Sequence, residues 1–345
     1  MSLLHTDSFQ KRKWLAPALC LLLLILLIPL LALAYLINDL NQPMEIQGES
    51  IMFVVESGTS LTRVANELES MDLIDNSGSM TLYARIQRTA ASIQSGEYEL
   101  TDGMTSMDFL RKMLAGDTYQ YRITLIEGWT LEQALNEIWS DSNIVRELNS
   151  SSGELVADSL NLVEESVEGL FYPDTYFFTR GTTDREILIR AYERMKEVLT
   201  EAWESRLGAL PYNDAYDALI MASIIEKESA EESERGHIAG VFVRRLELGM
   251  RLQSDPTVIY GMGDNFDGDI RREDLLEETA YNTYRINGLP PTPIALAGID
   301  SINASLNPLP SDYLYFVSRG NGTHYFSSTL QEHNDAVSRF QLESQ

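Results

Sequence analysis

Cysteine is almost absent from this chain of 345 residues: its one thiol, Cys20, lies inside an apolar run near the N-terminus. No disulfide can form within the chain, so its stability must come from core packing. A lipoprotein does not fit either, because the apolar run follows Cys20 instead of preceding it. Histidine is scarce as well, with only His5, His237, His324 and His333. There is no H-E-x-x-H, no paired C-x-x-C and no other compact ligand spacing, so the sequence requires no metal and no cofactor. The acidic stretch "DNFDGDI" at 264–270 misses the register of a calcium loop and reads as a solvated turn. A G-x-S-x-G elbow and a phosphate-binding P-loop are also missing. Basic residues are few: 26 against 52 acidic residues, a net charge of -26. Such a surface repels phosphate backbones, which excludes nucleic acid as a partner.

What the chain does have is an N-terminal anchor. "KRKWLAPALCLLLLILLIPLLALAYLIN" places Lys11, Arg12 and Lys13 before an uncharged run from Trp14 to Ile37. At about 1.5 Å per helical residue this run crosses a hydrocarbon core of about 30 Å. Basic residues before it, and Asp39, Glu45 and Glu49 after it, put residues 1–13 in the cytoplasm and everything past the span outside. A cleaved signal peptide is the competing reading, since Ala32-Leu33-Ala34 resembles a cleavage site. The run exceeds the length of such segments, so a retained anchor over 14–37 is expected. The 44% hydrophobic content of the whole is ordinary for globular domains, and the length allows two or three of them.

Three segments repeat one phrase: "FVVESGTSLTRVANEL", "YELTDGMTSMDFLRKM" and "ITLIEGWTLEQALNEI". Each is a β-rich run, a turn glycine (Gly58, Gly103, Gly128), a hydroxyl N-cap (Ser60, Thr105, Thr130) and an amphipathic helix. The apolar positions Val64/Ala65/Leu68, Phe109/Leu110/Met113 and Ala134/Leu135/Ile138 predict equivalent buried faces. The first copy resembles the opening strand-turn-helix of LysM modules, which bind N-acetylglucosamine-containing glycans; a packing module with no ligand fits the phrase equally well. Farther on, the polar stretch 140–165 reads as an accessory loop and helix. "EGLFYPDTYFFTRGTTD" clusters Phe171, Tyr172, Tyr176, Phe177 and Phe178, suited to a core or to stacking on sugars. Helical periodicity then runs from Glu186 to Leu207.

In "MASIIEKESAEESERG", counting about 100° per residue places Ile220, Met221, Ile224 and Ile225 on one helix face. Glu228 falls near the centre of that face, and Glu226 falls on the opposite side, toward water. From the helix alone, Glu228 is either an inward carboxylate or a fraying end that escapes into solvent.

From Met221 onward the chain carries "MASIIEKESAEESERGHIAGVFVRRLELGMRLQSDPTVIYGMG", "TAYNTYRINGLPPTPIALAGIDSINASLNP" and "DYLYFVSRGNGTHYFSSTLQEHN". In this order, and together with the anchor and "EGLFYPDTYFF", they resemble the MltG/YceG family of endolytic murein transglycosylases over nearly the whole chain. The resemblance implies a single-pass protein of the bacterial inner membrane with a periplasmic catalytic domain. It would cut nascent peptidoglycan strands between MurNAc and GlcNAc, leave 1,6-anhydro-MurNAc ends and thereby limit strand elongation. Membrane-bound penicillin-binding proteins are the implied partners, besides the glycan strands themselves.

The glutamate before the hydroxyl residue of the E-K-E-[ST] motif is the catalytic group in such enzymes, here Glu228 before Ser229. Burial against Met221, Ile224 and Ile225 is expected to raise its pKa and keep a proton available. The family motifs also nominate Gln253, Asp255, Thr257, Tyr260, Tyr281, Asn282, Thr283 and Tyr284 for substrate binding. "GLPPTPI" at 288–294 either lines the cleft or is a stiff connector. The fold expected is mixed α+β: a tail over 1–13, a membrane helix over 14–37, a LysM-like domain over 38–120, a connecting region over 121–215 and a catalytic domain over 216–345. Two other functions remain compatible with the residues, a non-catalytic glycan-binding scaffold for wall synthases and a two-carboxylate murein hydrolase.

Overall fold

The computed structural model describes residues 7–163, 166–229 and 231–342, with side chains from residue 19 onward. The first six residues of the expected tail, and the side chains of Lys11, Arg12, Lys13 and Trp14, lie outside what is described. The chain forms two compact units, residues 1–120 and 121–345, and its architecture is mixed α+β.

The first unit begins with helix α1 (Asp7–Leu40). Its Leu19–Leu40 segment, 22 residues with a mean hydropathy of 3.0, is long and apolar enough to cross a membrane. Side chains along most of it are exposed, yet Leu36 and Leu40 are buried. The helix therefore runs past the expected end at Ile37, and its last turn joins the core of the globular part. Strand β1 (Ser50–Val55), helices α2 (Leu61–Ser70) and α3 (Ser77–Ile86), strand β2 (Gly96–Thr101) and helix α4 (Ser106–Ala115) follow. β1 and β2 form an antiparallel ribbon with Phe53 opposite Tyr98. Phe109 of α4 meets both rings edge-on, at 5.5 and 5.6 Å between centroids, a favoured aromatic geometry.

The second unit contains β3 (Tyr121–Thr124), α5 (Leu131–Ser140), α6 (Gly153–Leu160), β4 (Thr175–Phe178) and α7 (Asp184–Ser205). After these come α8 (Ala215–Glu228), α9 (Glu232–Glu247), α10 (Asp255–Met262), α11 (Ile299–Leu306), β5 (Tyr315–Ser318), β6 (His324–Ser327) and α12 (Leu330–Val337). β3 pairs antiparallel with β4, and β5 with β6. Residues 121–215, expected as a connecting region, share one hydrophobic core with α8, α9 and α11. The aromatic cluster divides: Phe171, Tyr176 and Phe178 are core, and Phe177 faces outward.

The three repeated phrases fold alike. Gly58, Gly103 and Gly128 have φ of +79°, +79° and +78°, a left-handed conformation that a side chain would strain. Ser60, Thr105 and Thr130 then cap α2, α4 and α5 by accepting the N–H of Arg63, Asp108 and Gln133. The predicted apolar triplets are all buried. The same local chemistry is thus used twice in the first unit and once at the start of the second.

Candidate active site

Helix α8 is apolar on all sides. Every residue from Ala218 to Ile225 is buried, as expected of a helix with no polar stripe, which must be wrapped completely. This overturns the expectation that Glu226 points to water. Its side chain is 5% exposed and forms an ion pair with Arg235 of α9, Oε1 to Nη2 at 3.0 Å. Its second oxygen accepts the N–H of Gly298, the N-cap of α11, at 3.1 Å. The adjacent Lys227 donates to the carbonyl of Gly128 at 3.1 Å. The end of α8 is thereby tied to α9, to α11 and to the turn that opens α5.

Glu228, the last residue of α8, leaves the helix on the other flank and is partly buried. Among the described residues, the hydrogen bond found for its carboxylate comes from the Ser254 hydroxyl, 2.5 Å from Oε1. Burial is the main influence on its acidity, and the negative charge of Asp255 adds to it. Ser254 and the Arg245 guanidinium oppose them, and the pKa is raised to about 7. A carboxyl group of this kind holds a proton and can also accept one near neutral pH.

Ser254 is placed for this with some care. It is the N-cap of α10, yet its side chain makes no capping hydrogen bond and turns to Glu228 instead. Its backbone N–H is held by Thr283 Oγ1 at 2.9 Å, and its carbonyl accepts the Thr257 hydroxyl at 2.7 Å. The preceding residue, Gln253, has φ of +53°, a conformation that costs a non-glycine residue about 1–3 kcal/mol and survives only where its surroundings enforce it. Arg245 of α9 is part of that enforcement. Buried, it donates to the carbonyls of Leu252 at 2.6 Å and Leu314 at 2.7 Å.

The residues nominated by sequence fall into two groups. Thr257, Asn282 and Thr283 are fully buried, and their polar groups are engaged within the protein. Thr257 and Thr283 share a 2.8 Å hydrogen bond beneath Ser254. Asn282 donates to the carbonyls of Asp274 and Glu277 and accepts from the Tyr284 N–H. These three form the scaffold under the site. Gln253, Asp255, Tyr260, Tyr281 and Tyr284 reach the surface. Tyr284 donates to Asp255 Oδ1 at 2.6 Å, and burial together with Asp255 and Glu228 raises its pKa. Tyr260 and Tyr281 pack ring against ring, 4.8 Å apart. Thr292 of "GLPPTPI" meets the Tyr281 hydroxyl at 2.8 Å, and the Ile294 N–H donates to Ser223 of α8. That segment lies against the site.

Sequence reasoning missed Ser254, Arg245, Arg235 and Glu168. Arg245 had left a signal, for it continues the apolar spacing Ile238, Val241, Phe242 on α9, where a lone arginine implies a buried task. Ser254 also had one, as a hydroxyl residue just before Asp-Pro at a helix start. Glu168 sits in "EGLFYPD", where aromatic residues dominate the pattern. It is 6% exposed, with its pKa raised to about 7 by burial.

Residues 53–339 match the profile of the YceG-like family. A protein of Bacillus subtilis (strain 168) named endolytic murein transglycosylase is 32% identical over 321 residues, 88% of this chain and 88% of its own length. One of the same name from Streptococcus pneumoniae serotype 2 is 26% identical over 82% of this chain, which spans 57% of that relative. The crystal structure of a yceG-like protein from Listeria monocytogenes matches with a TM-score of 0.52 at 31% identity, covering 84% of this chain and 100% of that one.

Proposed function

The chain belongs to the YceG-like family, and on that footing we propose that it acts on peptidoglycan as an endolytic murein transglycosylase, with Glu228 as its acid and base. The observation that carries this is the Glu228–Ser254 pair, a partly buried carboxyl group whose pKa burial raises to about 7, at the end of a helix buried through its middle. Protonated Glu228 delivers its proton to the glycosidic oxygen as the bond from that oxygen to C1 of the muramic residue breaks. The C6 hydroxyl of the same sugar then attacks C1 and loses its proton to the Glu228 carboxylate. The 1,6-anhydro ring closes, the glutamic acid is regenerated and no water is consumed. Intramolecular attack gains from the high effective molarity of a held nucleophile, so a second carboxylate to activate water is unnecessary.

The other parts of the chain extend this reading. Helix α1 serves as a single-pass anchor of the inner membrane, with residues 1–13 inside and the rest outside. Residues 38–120 act as a LysM-like domain that positions the strand, supported by the strand-turn-helix of β1 and α2 and by a groove of 740 Å³ beside its turn, lined by Gly58, Ser60, Arg85 and Gln94. The segment 121–215 supports the catalytic residues of 216–345. Cutting nascent strands at the membrane surface limits their length and brings the protein together with penicillin-binding proteins.

The deciding experiment incubates the detergent-solubilised full chain with uncrosslinked glycan strands and weighs the products. Anhydro ends are expected. Reducing ends that have gained water would make it a hydrolase, and intact strands would make it a binding scaffold.

A further inference from the structure

Glu168 is a buried carboxylate for which the chemistry at Glu228 has no use. Its Oε1 accepts the N–H of Leu131, the first residue of α5, at 2.9 Å. Its Oε2 accepts the Tyr260 hydroxyl at 3.1 Å. The start of α5 already has a complete capping box from Thr130 and Gln133, so a neutral acceptor would serve the Leu131 N–H as well. A carboxylate is the costly choice here: burial, with the charge of Glu132 adding to it, pushes its pKa to about 7 against the hydrogen bonds from Leu131, Tyr260 and Gly169. What the second oxygen gains is a fixed Tyr260.

Tyr260 lies beside the candidate site. It lies on α10, the helix that Ser254 opens, and its ring meets Tyr281 with an interplanar angle of 61°. The Tyr281 hydroxyl is held by Thr292. Three residues on, Tyr284 grips Asp255 next to Glu228. The short stretch 281–284 therefore runs from the acid to the tyrosine pair, whose rings are partly exposed and whose hydroxyls are both engaged. Rings locked in this way lose little further freedom when an apolar sugar face stacks on them.

We propose that Glu168 is a positioning residue for the glycan strand: by holding the Tyr260 hydroxyl it fixes the Tyr260–Tyr281 pair as the platform on which a sugar ring beyond the scissile bond rests. The proposal rests on the transglycosylase reading for its substrate. Its effect falls on binding and leaves the chemical step to Glu228.

The test uses the full chain and uncrosslinked glycan strands. Tyr260→Phe and Glu168→Ala are each expected to raise KM about tenfold while kcat stays within about threefold, with anhydro products unchanged. The double variant should be no worse than the poorer single one, as for two partners of one interaction. Glu168→Gln keeps an acceptor for Leu131 and a polar group for Tyr260, and should restore most of the affinity. Strand binding measured in a Glu228→Gln background gives the same comparison without cleavage, so a chain that never cuts would sink the transglycosylase reading and still test Glu168. Unchanged KM and Kd in folded Tyr260→Phe would overturn the proposal, and that variant suffices should Glu168→Ala not fold. A folded Glu168→Gln that binds strands but does not cut them would overturn it too, by making Glu168 a second chemical carboxylate.

Discussion

The two flanks of the end of α8 differ less in burial than in what each offers a carboxylate. On one flank Glu226 finds the Arg235 guanidinium and the Gly298 N–H, a charged donor and a helix start. On the other, Glu228 finds, among the described residues, a single hydroxyl, with Asp255 opposing its charge and Arg245 occupied by two carbonyls. Two residues apart on one helix, one group ties the structure together and the other is the one proposed to exchange a proton. Burial alone makes neither role; the number and charge of the donors decide it.

The largest expected break in this contrast is Glu228→Gln. It keeps the side chain's shape and removes the transferable proton, and turnover of glycan strands should fall by at least about 10²- to 10⁴-fold. Its melting temperature should hold or rise, because an amide is less costly to bury than a carboxylate that is charged part of the time. Near-normal turnover by the folded variant would dismiss the assignment.

Glu226→Gln should do the reverse. Removing one partner of a buried ion pair strands the other charge, at a cost of about 3–5 kcal/mol, read as a lower denaturation midpoint. Turnover per folded molecule should fall far less than in Glu228→Gln. An inactive Glu226→Gln protein with a normal melt would show that the roles of the two flanks had been exchanged.

Stability should also report the unpaired flank. Glu228 binds its proton more tightly folded than unfolded, so between about pH 4.5 and 7 the native state holds more protons and stability falls as pH rises. Raised from 4.5 to about 7, this group accounts for a loss on the order of 1–3 kcal/mol across that window. Denaturant titrations of wild type and Glu228→Gln at pH 5 and pH 8 should differ by this amount; equal slopes with pH in both proteins would contradict it.

The neighbours of Glu228 allow finer adjustment. Ser254→Ala removes the hydrogen bond that favours the anion, so the pKa rises further and the alkaline limb of the pH–rate profile should move up by about one pH unit. Asp255→Asn removes an opposing charge and should move the same limb down, by only a few tenths because Asp255 is exposed and screened. Shifts of the same sign in both variants would mean that the limb belongs to another group.

Much of this was legible in the sequence. The long apolar N-terminal helix, the three helices entered through a glycine turn and a hydroxyl cap, and their buried triplets follow from hydropathy, from turn stereochemistry and from hydroxyl capping, all of which act locally along the chain. The same kind of counting and the E-K-E-S motif nominate Glu228 as the proposed acid. Counting failed at Glu226, because a helical wheel ranks faces relative to one another, whereas α8 has no polar face at all: Ala222 and Ser223 are as buried as Ile224. The apolar residues all around its circumference were the sign that protein would meet both carboxylates.

The local elements, and the nomination of Glu228 as the acid, depend on spacing and side-chain chemistry along one stretch of chain and can be read from it. Which carboxylate meets a charged partner and which is left near neutrality depends on groups that meet only in the folded chain. Ser254 lies 26 residues from Glu228, Gly298 lies 72 from Glu226, and Tyr260 lies 92 from Glu168. A carboxyl group's proton affinity is set by the donors and charges within a few ångströms in space, and for these three groups folding brings most of those donors from distant parts of the chain.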